Sequence, residues 1–525
     1  MKSHVDPVAF ERYLDLGALP ATTLLDCLEH WKACYGERLA LKDEHSALTY
    51  AQLAERSDAL AIDLRARGLR AEDTVIVQLP NCTGFFVTLF AVMKLGAVAV
   101  LALPGHRQYE LLGLQEVAQA KMYIAQRELG DFAYSLLADA LCEKGLPEAG
   151  VVYLDDIPEI TWRASDERLT AVRPAPDDVA FLLLSGGTTQ VPKLIPRTHA
   201  DYAYNITAMA QACGLNANSR YLCVVPAAHN FALGCPGVLG VLTAGGQVHL
   251  QAQPDILQLC DVLYQERITV TSLVPALAEL LIEYLDMTGQ RFDALTLVQV
   301  GAARFSKTSA QRLKTLLDCE LQHIYGMAEG LLCFNRLEDD ERAKRDTQGR
   351  PLSPFDELRV VNEQGDRVAP GTVGELHVRG PYTIRGYHAR PEVNVAAFDE
   401  QGFYRTGDLV CLDDEGNVTV VGRVKEQINR GGEKYSPSDM EKLMVDWARI
   451  GECAVVGFED RQLGERVVYF IRALGEPPTR REVCDYLRTL GLADFKYPDA
   501  VVVLEQMPLT AVGKIDKKHL ALSYA

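Results

Sequence analysis

Residues 184–197, with the sequence LSGGTTQVPKLIPR, combine glycines, hydroxyl side chains and two basic residues in one short segment. The apolar run before it, 179–184, predicts a buried strand. Glycine lets backbone N–H groups approach a ligand closely, and the serine, threonine and lysine side chains add donors and positive charge. Such a loop suits the phosphates of a nucleotide. A plain surface turn can have the same composition, and the G-x-x-x-x-G-K-[ST] spacing of the usual phosphate loop is missing, so the rest of the chain has to decide.

The bulk composition excludes several classes of protein. At 525 residues the chain exceeds what one hydrophobic core usually supports, so we expect at least two domains. A formal net charge of −18 argues against nucleic acid as a general partner. The longest apolar run, 85–103, is broken by Lys94 and Gly96 and predicts a buried helix and strand rather than a membrane span. The N-terminus has no apolar signal core, and the thirteen cysteines form no CxxC pair, which favours reduced thiols and a cytoplasmic location.

Strand and helix patterns alternate along the first 350 residues. Strands are predicted at 75–80, 97–103, 221–226, 246–250, 268–275 and 295–302, with helices at 48–68 and 85–95 and a further strand–helix–strand unit at 120–155. This rhythm is typical of an α/β fold with parallel strands. In such sheets ligands bind where strands end, so the loops 228–237, 301–305 and 325–330 are candidates for a site.

The pattern changes after residue 351. Apolar and polar residues alternate between Gly- and Asp-rich turns through 358–381 and 404–434, which predicts an antiparallel sheet or small β-barrel. Beyond about 425 a compact α+β pattern follows, with helices at 438–447 and 480–490 and strands at 452–457 and 466–472. We place a domain boundary at 422–427.

Five motifs together resemble the adenylate-forming superfamily of acyl-CoA synthetases, nonribosomal-peptide adenylation domains and luciferases. They are SGGTTQVPK (185–193), YGMAEG (325–330), YRTGD (404–408), GRVKEQINRGGEK (422–434) and GKIDKK (513–518), in the family's order over essentially the whole chain. The resemblance implies an α/β protein with two parallel-sheet subdomains and a small β-barrel, followed by a mobile α+β domain. It also implies a two-step reaction. A carboxylate attacks the α-phosphate of ATP, and a thiol then displaces AMP.

The motifs carry the family's roles onto this sequence. ATP-binding roles are implied for Ser185, Gly186, Gly187, Thr188, Thr189, Lys193, Gly301, Ala303, Tyr325, Asp408 and Arg423. Within that set Tyr325 would stack on adenine, and Asp408 would accept from both ribose hydroxyls with help from Arg423. Glu329 would bind Mg²⁺, for which a carboxylate is a suitable hard ligand.

Catalysis would use two arrangements of the same domains. The resemblance implies a core of residues 1–422, a hinge at 423–427 and a C-terminal lid of residues 428–525. Lys514 would bridge the carboxylate and the phosphate in the first step, and the lid would rotate about Lys425 before the second. Gly431 and Gly432 would then line the route of the thiol. The chemistry needs positioning and charge stabilisation more than a nucleophile, which fits the absence of a Ser-His-Asp signature from the sequence.

The loop AHNFALGCPG (228–237) resembles the subgroup of stand-alone enzymes that load salicylate or 2,3-dihydroxybenzoate during siderophore assembly. By that resemblance Asn230 would bond the acid's 2-hydroxyl, His229 would line the carboxylate end and serve catalysis, and Phe231 would flank the ring. The aryl group would pass to the phosphopantetheine of a carrier protein in trans, or to CoA. An aryl-CoA ligase is the nearest alternative, and a luciferase-like oxidoreductase or a non-catalytic adenylate binder is a distant one.

Two positions favour salicylate over 2,3-dihydroxybenzoate. Dihydroxybenzoate enzymes place serine where this chain has Cys235 and valine where it has Leu332. A thiol is a weak hydrogen-bond partner, and an unpaired buried 3-hydroxyl costs about 1–3 kcal/mol. Leu332 also removes volume.

Two departures from the family pattern leave other acids open, and a third lies in the phosphate loop. Ala302 replaces a glycine and would narrow the pocket at the ring plane, while Gly234 would open space beside Cys235. The pair would suit another ortho-hydroxy or ortho-amino acid, such as 3-hydroxypicolinate or anthranilate. Gln190 replaces a glycine in the phosphate loop, where it either strains the backbone by roughly 1–3 kcal/mol or adds a donor.

Overall fold

The computed structural model of the chain describes residues 7–156, 172–185, 193–302, 305–424, 427–508 and 515–524. Within these ranges the chain is a mixed α/β protein, as the alternation of patterns predicted. Its α-helices are Pro7–Asp15, Leu24–Tyr35, Tyr50–Ala66, Thr83–Lys94, Gln108–Ala118, Ser135–Glu143, His199–Ala212, Asn230–Gly234, Gly237–Thr243, Ile256–Gln265, Pro275–Thr288, Lys307–Leu317, Glu341–Asp346, Pro391–Ala397, Pro437–Val445, Arg480–Thr489 and Lys517–Tyr524. Short 3₁₀ turns occur at Glu148–Gly150, Leu154–Asp156 and Asp494–Lys496.

The larger sheet carries most of the predicted strands of the middle of the chain. Its spatial order is Arg350–Pro351, Leu332–Phe334, Glu320–Gly326, Leu297–Gly301, Val270–Leu273, Arg220–Cys223, Gln247–Leu250, Leu39–Lys42 and Ala47–Thr49. Pairing is parallel from Glu320–Gly326 to Leu39–Lys42 and antiparallel at both edges. Most residues of the parallel strands are buried, as expected for a parallel sheet covered on both faces.

The second sheet is built from the N-terminal strands and from the run that precedes the phosphate-loop motif. Its order is Leu194–Thr198, Val179–Leu184, Val98–Leu101, Thr74–Gln78, Met122–Ala125 and Val151–Tyr153. The strand Leu194–Thr198 is antiparallel to Val179–Leu184 and was not predicted, because Pro196 and the charged Arg197 are unusual in a strand. Arg197 is nevertheless fully buried there, paired with Asp201 over 2.9 Å.

The apolar run 85–103 folds as a helix and a strand, Thr83–Lys94 and Val98–Leu101. The helix packs against Tyr50–Ala66 and against the second sheet, so nearly all of its side chains are buried. No described helix has the length and apolar character needed to cross a membrane.

The region predicted as an antiparallel sheet or small barrel is an open antiparallel sheet in its described strands. These pair in the order Glu357–Val361, Gly374–Arg379, Tyr404–Leu412 and Val418–Arg423. A sheet of only four strands can pack with one face against the core and need not close into a barrel. A small hairpin, Glu128–Leu129 with Phe132–Ala133, lies apart from it.

The C-terminal part of the chain has hydrophobic clusters of its own. A hairpin, Ile428–Arg430 with Glu433–Tyr435, precedes a sheet of Ile450–Asp460, Gly464–Ala473 and Ala500–Val503. Met440, Val455 and Leu487 belong to one of its clusters, whereas the largest cluster of the protein runs from Leu24 to Val418. Separate clusters are what a domain boundary near 422–427 requires, and that boundary stays a prediction.

Candidate functional site

A cleft of about 2190 Å³ lies where the parallel strands end and the C-terminal hairpin approaches them. Its lining brings together residues that the sequence motifs placed far apart. These are Ser185, Lys193, His229, Asn230, Phe231, Cys235, Ala302, Tyr325, Glu329, Leu332, Asp408 and Arg423. The predicted residues Gly186, Gly187, Thr188, Thr189, Gln190, Ala303, Lys425 and Lys514 lie outside the described ranges. The position of the cleft agrees with the rule that ligands bind at the carboxyl ends of parallel strands.

Asp408 is held between an aromatic and a basic side chain. It lies opposite Arg423 in the antiparallel sheet, and Arg423 Nε donates to its Oδ1 over 2.5 Å. Tyr325, on the core strand Glu320–Gly326, donates from its hydroxyl to Oδ2 over 2.7 Å. Burial and then Asp408 raise the pKa of Tyr325, which therefore keeps its proton. Each carboxylate oxygen has one protein donor and a second lone pair, so the pair can accept from two vicinal hydroxyls.

Glu329 belongs to a second buried hydrogen-bond network that lines the cleft. The hydroxyl of Tyr387 donates to Glu329 Oε1 over 2.8 Å, and the Tyr404 hydroxyl lies 2.9 Å from that of Tyr387. The ammonium of Lys193 lies 5.1 Å from the centre of the Tyr387 ring. This arrangement fixes one oxygen of Glu329 in the lining of the cleft. Among the described residues, no group of three or more His, Cys, Asp or Glu side chains is placed to hold a metal ion by itself.

His229 lies at the start of the short helix Asn230–Gly234. Its Nδ1 accepts from the backbone N–H of Phe231 over 3.2 Å, so the proton of the neutral ring is on Nε2. Burial, with Lys434 nearby, lowers the pKa of His229 to about 4. The side chain is therefore a neutral donor at pH 7. Phe231 packs on the end of a core strand, where a Cβ atom placed on Gly301 would lie 3.1 Å from its Cζ.

The amide of Asn230 and the thiol of Cys235 form a linked pair in the cleft wall. Asn230 Nδ2 lies 3.5 Å from Cys235 Sγ, and the thiol donates back to the Asn230 carbonyl oxygen over 3.3 Å. Behind them the hydroxyl of Tyr202 donates to Asn230 Oδ1 over 2.9 Å. Burial raises the pKa of Cys235 to about 12, so it remains a thiol.

The expectation that Gly234 opens space beside Cys235 is wrong. A Cβ atom placed on Gly234 would lie 2.6 Å from the hydroxyl oxygen of Tyr202, so the space is already filled by that ring. Glycine is needed here for the close approach of Tyr202. No local pattern links positions 202 and 234, and only the packing of two helices shows the relationship.

Ala302 adopts a left-handed backbone with φ of +68°, and its side chain lines the cleft. Its carbonyl oxygen accepts a hydrogen bond over 2.8 Å from Nδ2 of Asn429, on the C-terminal hairpin. The hairpin also contributes Gly432 and Lys434 to the lining. Sequence reasoning did not single out Asn429 or Lys434, although both lie inside the quoted motif 422–434. Burial, followed by Arg423, lowers the pKa of Lys434.

A buried ion pair joins the C-terminal part to the core at the edge of the cleft. Lys496 Nζ lies 2.6 Å from Glu110 Oε1, and both side chains are about nine-tenths buried. The backbone N–H of Tyr109 donates to the carbonyl of Gly491 over 3.0 Å beside it. Burial alone raises the pKa of Glu110, but Lys496 and His106 together bring it below its usual value. The carboxylate is therefore charged in this arrangement.

Two family models match along the chain. One, described as AMP-binding enzyme, matches residues 28–388, which is more than half of the chain. The other, described as AMP-binding enzyme C-terminal domain, matches residues 439–514. Both matched ranges contribute side chains to the cleft.

Similar proteins cover nearly the whole chain. Pyochelin synthase PchD of Pseudomonas aeruginosa (strain UCBPP-PA14) is 43% identical over 98% of this chain and 95% of its own length. The 2,3-dihydroxybenzoate-AMP ligase of Bacillus subtilis (strain 168) is 40% identical over 97% and 95%. The salicyl-AMP ligase / salicyl-S-ArCP synthetase of Mycobacterium tuberculosis (strain ATCC 25618 / H37Rv) is 40% identical over 95% and 89%. The solved apo structure of MbtA from Mycobacterium smegmatis is 37% identical with a TM-score of 0.74, covering 99% of this chain and 98% of that one.

Proposed function

The chain belongs to the family of AMP-binding enzymes, and on that premise we propose that it activates an aryl acid with ATP and passes the aryl group to a thiol. In the first step a carboxylate oxygen of the acid bonds to the α-phosphorus, and the bond to pyrophosphate breaks. In the second step the thiol sulfur bonds to the acyl carbon, and AMP leaves. The products are an aryl thioester, AMP and pyrophosphate.

One observation carries this proposal. A buried carboxylate held by a tyrosine and an arginine, Asp408 with Tyr325 and Arg423, shares a cleft with the Asn230–Cys235 pair. The first set is suited to a ribose diol and the second to the polar substituent of a flat ring. Phe231 adds an aromatic face between the strand ends and the ring site. This separation within one cleft supports the proposal of a nucleotide site beside an aryl-acid site.

Residues of the core, together with Lys514 of the C-terminal part, would neutralise the negative charge of the nucleotide. We assign Lys193 and Ser185, with the glycines and threonines of 186–189, to the β- and γ-phosphates, and Lys514 to the reacting carboxylate and phosphate. Mg²⁺ usually takes one or two carboxylates, with phosphate and water oxygens completing its shell. Glu329 fits that role, because one of its oxygens is fixed by Tyr387 and the group is buried at the cleft. Bound Mg²⁺ would neutralise charge on the phosphates.

We propose salicylate as the acid. The names of relatives include both a 2,3-dihydroxybenzoate-AMP ligase and a salicyl-AMP ligase, so they do not choose between the two. The thiol of Cys235 donates its only proton to the Asn230 carbonyl oxygen. It can therefore offer the 3-hydroxyl of a substrate only its sulfur as a weak acceptor. An unpaired buried hydroxyl costs about 1–3 kcal/mol, and Leu332 reduces the room on that side.

A carrier protein's phosphopantetheine, supplied in trans, is the proposed thiol, in a siderophore or related nonribosomal-peptide pathway. The printed name of one relative, salicyl-S-ArCP synthetase, describes such a transfer for that protein. We further propose that residues 428–525 rotate about Lys425, in the segment 423–427, between the two steps. Gly432, which we place on the route of the thiol, lines the cleft in the present arrangement.

The first test is ATP–pyrophosphate exchange with salicylate, 2,3-dihydroxybenzoate, benzoate, 3-hydroxypicolinate, anthranilate and several amino and fatty acids. We expect exchange to peak on salicylate and to fall on 2,3-dihydroxybenzoate and benzoate. A peak on 3-hydroxypicolinate or anthranilate would keep the enzyme class and overturn the choice of acid. Exchange with none of the aryl acids would overturn the proposal. A second assay, comparing an aryl carrier protein with CoA as acceptor, separates carrier loading from a CoA ligase.

A further inference from the structure

We propose that Tyr202 is a positioning residue that fixes the Asn230 amide with its N–H donor toward the acid, so that the site selects aryl acids with a hydrogen-bond acceptor at the ortho position. This inference rests on the proposed function and deepens it, because it names the chemical feature by which the substrate is recognised. Tyr202 is fully buried behind the cleft wall and acts through Asn230.

The hydrogen bonds around Asn230 allow only one orientation of its amide. The Tyr202 hydroxyl keeps its proton, because burial raises its pKa well above the usual value, and this proton goes to Asn230 Oδ1 over 2.9 Å. Rotating the amide by 180° would put its carbonyl beside Cys235, whose proton already goes to the Asn230 backbone. The Tyr202 proton would then lose its acceptor in a buried place. A buried donor without an acceptor is disfavoured by roughly 5- to 150-fold, which corresponds to about 1–3 kcal/mol.

Tyr202 itself cannot move aside. Phe181 meets its ring edge to face, with centroids 4.7 Å apart, and the Arg197 guanidinium lies 4.8 Å from the ring centre. Arg197 is in turn held by Asp201 and by the carbonyl of Ala328 over 3.0 Å. The hydroxyl end fits against Gly234, where any Cβ atom would lie 2.6 Å away. The ring contacts with Phe181 and Arg197 and the close fit against Gly234 therefore set the direction of the Tyr202 hydroxyl.

A fixed donor at this place discriminates between ortho substituents. In salicylate the phenolic proton can point to the acid's own carboxylate, which leaves the phenol oxygen free to accept from Asn230 Nδ2. The ring nitrogen of a picolinate can accept in the same way. The ortho amino group of anthranilate presents N–H donors and has a delocalised lone pair, so two donors would face each other. Benzoate has no group there and is indifferent to the orientation of the amide.

The test compares Tyr202→Phe with wild type by kcat/KM for exchange with salicylate, anthranilate and benzoate. We expect the salicylate-to-anthranilate ratio to fall by about tenfold, the loss of one oriented buried hydrogen bond, while benzoate changes by less than about twofold. Tyr123→Phe is the matched control. It also removes a buried tyrosine hydroxyl that donates to a side-chain amide, Gln78 Oε1 at 2.7 Å, but in the second sheet. We expect that variant to leave the ratio unchanged.

Gly234→Ala provides a second variant, since its Cβ atom would push the Tyr202 hydroxyl from Asn230 without removing it. We expect the same fall in the ratio. An unchanged ratio in folded Tyr202→Phe would overturn the inference, and so would equal losses for salicylate and benzoate, which a merely structural role would produce. If wild type shows no exchange with any aryl acid, the proposed function fails and this inference fails with it. If the wild type shows exchange but the salicylate-to-anthranilate ratio does not change in the variants, this inference is rejected and the proposed function stands.

Discussion

Asn429 donates a hydrogen bond from Nδ2 to the carbonyl oxygen of Ala302 over 2.8 Å, and so connects the C-terminal hairpin to the loop that ends a core strand. The other amide atom, Asn429 Oδ1, is buried and has no hydrogen-bond partner among the described residues. The contact spans 127 positions of sequence and can exist only when the C-terminal part lies against the cleft in this orientation.

Removing this contact should separate the two proposed half-reactions. In Asn429→Ala we expect transfer to the thiol to slow by about two- to tenfold, because a typical hydrogen bond contributes about 0.5–1.5 kcal/mol. ATP–pyrophosphate exchange should change by less than twofold. Exchange and single-turnover thioester formation from supplied aryl-adenylate measure the two steps. Equal losses in both assays would contradict a role specific to this orientation.

Ala302→Gly should stabilise the protein. A left-handed backbone costs an L-residue about 1–2 kcal/mol in the folded state, and the substitution removes this cost. Glycine also has more conformational freedom in the unfolded chain, which offsets the gain in stability by about 0.5–1 kcal/mol. We expect the free energy of unfolding to rise by about 1 kcal/mol, measured by urea denaturation. Asp318, at φ of +51° on an exposed helix end, is the matched control. Asp318→Gly should stabilise similarly but leave exchange kinetics unchanged, whereas a destabilised Ala302→Gly would show that its φ carries no strain.

Tyr387→Phe should weaken the use of Mg²⁺. The variant loses the donor to Glu329 Oε1 and frees the carboxylate to rotate. Removing a group that orients a metal ligand typically reduces metal affinity by about 10- to 100-fold. We expect the Mg²⁺ concentration for half-maximal exchange to rise by about tenfold.

Tyr404→Phe tests whether the effect is local, since Tyr404 contacts Tyr387 over 2.9 Å rather than Glu329 itself. Its Mg²⁺ requirement should rise by no more than about threefold, as one neutral hydrogen bond is lost. Identical requirements in wild type and Tyr387→Phe would argue that Glu329 is not a metal ligand.

We expect the Glu110–Lys496 ion pair to stabilise the present arrangement of the C-terminal part against the core. Breaking a buried pair by removing one partner costs about 3–5 kcal/mol, because a charge stays buried alone. In Glu110→Gln the C-terminal part can avoid this cost by moving away, so we expect a larger radius of gyration in X-ray scattering and slower thiol transfer. Glu110→Gln with Lys496→Met removes both charges and should recover a good part of the compact form. A double variant as open as the single one would rule out the charge pair as the cause.

Stability near neutral pH should depend on Asp356. Burial raises the pKa of this carboxyl from 3.8 to about 7, against hydrogen bonds from Tyr382 and from the Ser353 backbone that lower it. A pKa raised on folding gives stability that is fully present below 3.8 and is lost as the pH rises through about 7.

Asp356→Asn removes that titration. Relative to wild type, its free energy of unfolding should rise between pH 4 and pH 8, by at least about 1 kcal/mol, since one pKa unit corresponds to 1.36 kcal/mol. Denaturant unfolding at several pH values measures it. Asp414→Asn, on an exposed turn, is the control and should show a difference independent of pH. A pH-independent difference for Asp356→Asn as well would exclude a raised pKa.

The order of elements and the family of the protein followed from the sequence alone. Continuous apolar runs such as 75–77 and 98–101 are typical of strands buried on both faces of a parallel sheet, so the alternation of such runs with helices predicted the fold class. The motifs that contain Asp408 and Glu329 could also be recognised from the sequence alone. Their chemistry lies in short segments, and a short segment can be recognised without knowing what packs against it.

The long-range contacts around the cleft were decided by tertiary structure. The sequence predicts open space at Gly234, whereas in the structure the ring of Tyr202, 32 positions earlier, fills that space. Asn429 with Ala302 and Lys496 with Glu110 are likewise contacts between distant segments. A sequence records which groups can donate, accept or fill volume, and local patterns record how each segment folds. Which donor meets which acceptor depends on how whole helices and sheets pack, and that packing leaves no local periodicity to detect.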